Sequence, residues 1–166
     1  MPLLTGQLAV AYQDRNNPKA GAGGTRYRGL SASFALDREL GRSSKLTLSG
    51  GRFTRPSSFE QNGFYVSTAA TGRLNFMLPL GLACQASSGY DRNAYRVATA
   101  ASGAPRRDRI LGWSLGLGRP IARWAYLRAD YRRERRNSNI ALFQTRTSAL
   151  TIQAAVGVFA AREGAR

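Results

Sequence analysis

The chain has 166 residues, 25 lysines and arginines against nine acidic residues, a formal charge of +16, one cysteine and no histidine. That length fits one domain; the missing histidine removes the commonest general base and metal ligand, and the lone Cys84 excludes an internal disulfide framework. No apolar run reaches the roughly 18 residues of a membrane helix, and no stretch repeats at 3.6 residues, so an all-β chain remains.

Eight segments alternate apolar and polar residues, which predicts strands near 5–14, 27–37, 45–54, 64–78, 82–91, 109–118, 124–134 and 147–159. In the first, Leu8, Val10 and Tyr12 oppose Gln7, Ala9, Ala11 and Gln13; in the second, Leu30, Ala32, Phe34 and Leu36 oppose Ser31, Ser33, Ala35 and Asp37. The third sets Leu46 and Leu48 against Thr47 and Ser49, and the fourth sets Leu74, Phe76 and Leu78 against Arg73, Asn75 and Met77. The fifth is weaker, with Leu82, Cys84 and Ala86 against Ala83, Gln85 and Ser87. The sixth is the clearest: Trp113, Leu115 and Leu117 alternate with Gly112, Ser114, Gly116 and Gly118. In the seventh, Ala125, Leu127, Ala129 and Tyr131 oppose Trp124, Tyr126, Arg128, Asp130 and Arg132, and in the last Leu150, Ile152, Ala154, Val156 and Val158 oppose Thr151, Gln153, Ala155 and Gly157.

Side chains on a strand point to opposite faces in turn, so each segment has one greasy face and one small or polar face. Lipid outside and an aqueous lumen inside satisfy both, and nine to eleven residues are about what a tilted strand needs to cross the hydrocarbon. The polar phase gives Arg73, Asn75, Arg128, Asp130, Arg132 and Gln153 as lumen-lining residues. The prolines fall between the predicted strands or before them, and the connections alternate between long polar loops and short turns, as in bacterial outer-membrane barrels.

A secretory signal is missing from Met1 to Gly6, which, with a first strand starting near residue 5, gives the expectation of a C-terminal part of a longer polypeptide. Most inward positions are small, and an eight-stranded closed barrel is only wide enough for filling side chains. Small residues would leave it with voids, whereas a wider barrel uses them to line a water-filled pore.

The charge is nearly all arginine. Arg26, Arg106, Arg107, Arg135 and Arg136 are expected in the loops, where guanidinium groups can hold phosphates of lipopolysaccharide or an acidic polysaccharide. A basic nucleic-acid-binding module is the alternative from another class, but no nucleic-acid motif is present and none is expected as partner. No catalytic constellation, metal cluster or cofactor motif appears. Asp130 and Glu134 share a face with Arg128 and Arg132, a pattern of salt-bridge ladder and not of a general acid/base pair.

The segments Asp108 to Gly112 and Tyr126 to Asn139 carry a family resemblance. An Arg-Asp pair opening one strand, an aromatic-rich strand running into the Arg-x-Ser-Asn element Arg136 to Asn139, and a last strand closing on Phe159 resemble the β-barrel porin family encoded near exopolysaccharide gene clusters. Residues 160 to 166 extend past the closing aromatic, a departure from the family's usual end. The resemblance covers the C-terminal third by motif and the remainder by pattern. It implies an outer-membrane location and a part in exopolysaccharide passage. The expected protein is thus an all-β, antiparallel outer-membrane β-barrel, with eight strands here as part of a larger barrel. Its expected function is passage of solute or polysaccharide, the alternative within the class being a small closed barrel that acts as an anchor or adhesin through its loops.

Overall fold

The computed structural model describes residues 4–17, 25–57, 64–98 and 103–157. They form one antiparallel sheet of eight strands in chain order. The strands are β1 (Leu4–Asn17), β2 (Thr25–Glu39), β3 (Ser44–Pro56), β4 (Phe64–Leu78), β5 (Leu82–Ala98), β6 (Pro105–Ala122), β7 (Ala125–Ser138) and β8 (Thr145–Val156). No α-helix occurs among the described residues; the remaining elements are single 3-10 turns at Pro79–Gly81 and Ala141–Phe143.

All eight predicted strands are present, and most run further than their alternation suggested. β5 continues to Ala98 and β6 begins at Pro105, well inside a segment expected to be loop. β7 begins one residue after Trp124, which sits in the turn with its carbonyl accepting from the Gly157 N–H at 2.9 Å. Val158 and Phe159 lie outside the described residues. Pro120, expected in a turn, is inside β6; the ladder to β7 shifts register between Pro120 and Ala122, so the missing N–H falls at an irregularity where it interrupts least.

The ladders join the polar phases of all eight strands into one face. Gln7 pairs with Ala35, Asp37 with Thr47, Thr47 with Arg73, Arg73 with Ser87, Ser87 with Ser114, Ser114 with Arg132 and Arg132 with Ala149. Because paired residues point the same way, every greasy phase falls on the other face. Large apolar residues there stand exposed: Leu8 at 76%, Ile152 at 67% and Val156 at 75%. Among the described residues only a small apolar cluster, Tyr27, Phe64 and Val66, is buried together.

The sheet does not close. Among the described residues β1 and β8 each pair with one neighbour only, and β8 is exposed along its whole length, so they form an open sheet with two free edges where a barrel was expected. At the end of the sheet where the long connections lie, the β2–β3 ladder stops at the Ala32–Arg52 pair although both strands continue. Beyond it the β3–β4 hairpin leans across the polar face of β1 and β2. Thr54 there hydrogen-bonds Gln13, and the Phe64 ring meets Tyr27 edge-on at 5.8 Å.

Gly50 and Gly51 are the hinge of that bend. A Cβ on Gly51 would collide with the Ala32 carbonyl oxygen and lie 2.6 Å from the Phe53 ring, and one on Gly50 would lie 2.7 Å from the Ala69 oxygen. Gly51→Ala should therefore cost about 1–3 kcal/mol, as overpacking does. Gly72→Ala, whose nearest neighbour would be at 3.4 Å, should be close to neutral. Denaturant unfolding of the two variants reads the difference, and equal midpoints would remove the hinge assignment.

Candidate functional site

The polar face has two halves of different texture. Across β1 to β4, Ala9, Ser33, Ala35, Ser49, Ala69 and Thr71 floor a groove of about 420 Å³, walled in part by Phe53 and Arg55. Here the floor residues are exposed or half-buried, whereas Ser31 and Ser67, small residues on the same phase of β2 and β4, are buried.

On β6 the small residues have another use. Gly112, Ser114, Gly116 and Gly118 stand opposite Glu134, Arg132, Asp130 and Arg128 of β7. A Cβ on Gly116 would overlap Asp130 Oδ1 and lie 2.9 Å from Arg128 Nη2, and one on Gly118 would overlap the Tyr126 hydroxyl. Gly116 and Gly118 thus seat large β7 side chains that lean over them, and these two positions are filled, against the expectation of an empty pore wall. A strand glycine that lets a neighbouring chain approach closely is the usual reason for one there.

Arg128 donates from Nε to Asp130 Oδ2 at 2.6 Å and from Nη2 to Asp130 Oδ1 at 2.7 Å, then reaches across β6 to Gln85 Oε1 at 3.0 Å. Arg132 donates to Glu134 Oε2 at 2.8 Å. The two pairs make the salt-bridge ladder that the sequence pattern predicted. Gln153 is the register partner of Arg128 on β8. Arg73 shares a row with Arg132, with Ser87 and Ser114 between them bonded to each other at 2.7 Å, so the two arginines share a face without touching. Asn75 stands opposite Lys45 and Gln85. The six expected lining residues are all on one face, and only Arg128 and Asp130 bind each other.

The expected loop cluster is corrected throughout. Arg26 lies on β2, Arg106 and Arg107 on β6, and Arg135 and Arg136 on β7. The strands simply extend past the apolar band, and alternation then splits the group between faces. Arg26 is on the apolar phase and shares Asp14 with Arg28, each at 2.9 Å. Arg135 donates to Asn137 Oδ1 at 2.9 Å.

Arg106 is the largest departure. Its side chain is 2% exposed and holds the Asp108 carboxylate, itself 1% exposed, through Nε at 2.9 Å and Nη2 at 2.5 Å. The guanidinium lies 3.6 Å from the centroid of the Phe143 ring and 4.8 Å from that of Tyr95. Over two ring faces the guanidinium gains cation–π attraction while its planar fork still holds the carboxylate through two nitrogens, which an ammonium could not do. Phe143 reaches the site because the β7–β8 connection folds inward, pinned by Asn139, which donates to the Pro105 carbonyl at 3.0 Å and accepts from the Arg107 N–H at 2.7 Å.

Sequence reasoning missed this buried pair, and the signal was available. Arg106-x-Asp108, Arg128-x-Asp130 and Arg132-x-Glu134 share one spacing, which puts both members on one face of a strand. Also missed was Asp37, which takes a hydrogen bond from Thr47 at 2.6 Å and the Lys45 ammonium at 3.1 Å.

No family model, no curated protein and no solved structure matches this chain.

Proposed function

We propose that this chain forms wall of an outer-membrane β-barrel, porin-like, through which solute or polysaccharide passes. The observation that carries the proposal is the register: eight strands contribute one continuous polar face and one continuous exposed apolar face, with almost no apolar core between other layers. In water such a surface is an aggregation liability; against lipid it is the expected outside of a barrel. Free strand edges are not tolerated in hydrocarbon, so in this proposal β1 and β8 each take a partner strand there: further polypeptide or another copy in a wider barrel, each other in the small closed one. A wider barrel of that kind keeps the groove across β1 to β4 as open wall. The membrane lipid, lipopolysaccharide and acidic polysaccharide are the partners this proposal names, and the resemblance to exopolysaccharide-associated porins points the same way.

One observation favours the anchor alternative. The inner side of the sheet at the long-connection end is occupied by the Arg106–Asp108 pair, Phe143 and the inward-leaning β3–β4 hairpin. Bilayer recordings separate the two functions. Conductance is expected for the pore, and replacing Arg73, Arg128 and Arg132 by Gln should shift its reversal potential toward cations, because Asp130 and Glu134 are then left without their partners. Absence of conductance from protein that has folded into the bilayer would select the anchor; an unchanged reversal potential would remove these arginines from the ion path.

A further inference from the structure

The outer, apolar face ends at the long-connection side in a belt of arginines. Immediately beyond the apolar band come Arg28 on β2, Arg52 on β3, Arg92 on β5, Arg109 on β6 and Arg133 on β7, all exposed. On β1 and β2 this charge is answered by Asp14. On β5 to β8 it is not. Among the described residues Asp14 is the only carboxylate on the outer phase, every other one belonging to the polar face.

The register sharpens the imbalance. Arg92 stands directly opposite Arg109, and Arg135 directly opposite Arg146. Like charges facing each other across a ladder destabilise it, so these pairs call for an anion between them. There is also a place for one: a cleft of about 280 Å³ lined by Arg92, Arg107, Arg109, Asn137 and Asn139, along with Ser138 and an Asp108 whose carboxylate is already held by Arg106. Directly below it on the same face lie Tyr90, Leu111 and Trp113, exposed at 44%, 56% and 43%.

We infer that this cleft binds the phosphate of a phosphorylated lipid, with the acyl chains laid along Tyr90, Leu111 and Trp113. Three guanidinium groups supply forked donors that match phosphate oxygens, and the apolar surface continuing in one direction only fits an amphiphile and not a charged polymer backbone. The inference rests on the membrane proposal above and moves the anion site from the loops to the outward face of the strands.

Trp113 gives the test a local reporter. In a Trp124→Phe background, the protein is reconstituted into phosphatidylcholine vesicles containing either brominated phosphatidylcholine or brominated phosphatidic acid, and quenching of Trp113 is titrated. Phosphatidic acid should quench preferentially, and each of Arg92→Gln, Arg107→Gln and Arg109→Gln should lower that preference about fivefold, the contribution expected of one basic residue at an anionic membrane surface. Arg73→Gln, on the opposite face, should leave it unchanged. The single variants carry the test if the triple variant does not fold. Equal quenching by both lipids, or a preference abolished by orthophosphate or by a single-stranded oligonucleotide, overturns the lipid site while leaving the membrane proposal standing. Quenching by neither lipid overturns both.

Discussion

Ile152→Arg should prevent the protein from folding into lipid bilayers, whereas Gln153→Arg should insert with the parent's yield. The two residues are neighbours on β8, equally open in this sheet, and differ only in the face they occupy. Ile152 aligns with Ala129 and Gln153 with Arg128, so the first belongs to the apolar face and the second to the polar one. An arginine near the middle of the lipid-facing band of a transmembrane barrel costs roughly 2–4 kcal/mol, while an inward one meets water. In water alone both substitutions would be tolerated, since neither site is covered. The comparison therefore asks what the apolar face touches. Leu115→Arg on β6, away from the free edge, should repeat the effect of Ile152→Arg. Equal insertion yields for Ile152→Arg and Gln153→Arg would leave the apolar face without its lipid and remove the basis for a membrane barrel.

The second large effect is expected at the buried ion pair. Arg106→Met should destabilise the folded protein by about 3–5 kcal/mol, because it leaves the Asp108 carboxylate buried without its cation. Asp108→Leu should cost a similar amount by stranding the guanidinium between the Phe143 and Tyr95 rings. The double variant Arg106→Met/Asp108→Leu should recover most of the loss, since taking two charges out of water together costs nearly what their attraction returns. Denaturant unfolding of the four proteins in micelles gives the coupling energy of the pair. If the single losses simply add in the double variant, the two groups do not act as a pair. Loss of the pair should also loosen the β7–β8 connection, which can be read as faster amide exchange at Asn139 and Phe143.

The identity and phase of the strands could be taken from the sequence by itself. A period of two puts Trp113, Leu115 and Leu117 on one side and Gly112, Ser114, Gly116 and Gly118 on the other whatever the neighbours are, and the ladders keep each such assignment. The pairing of Arg128 with Asp130 and of Arg132 with Glu134 was legible for the same reason, because residues two apart share a face. Strand ends were less legible. Alternation of apolar and polar types fades where a strand leaves its apolar surroundings, although the backbone ladder continues, and so Arg106 and Arg107 looked like loop.

Other features depend on which strand lies beside which, and a pattern along one strand carries no such information. Gly116 and Gly118 could be seen as small but not as seats for the β7 side chains until register set Gly116 opposite Asp130. The β3 bend at Gly50 and Gly51 depends on the Ala32 carbonyl of another strand. Burial of Arg106 needs Phe143 from a connection that folds back over the sheet, a contact 37 positions away in the chain. The juxtaposition of arginines on β5 and β6 likewise exists only across strands, because Arg92 and Arg109 come to face each other with like charge through the β5–β6 ladder and in no other way. Periodicity is a property of one strand and survives any neighbour; complementarity is a property of two, and the tertiary structure decides it.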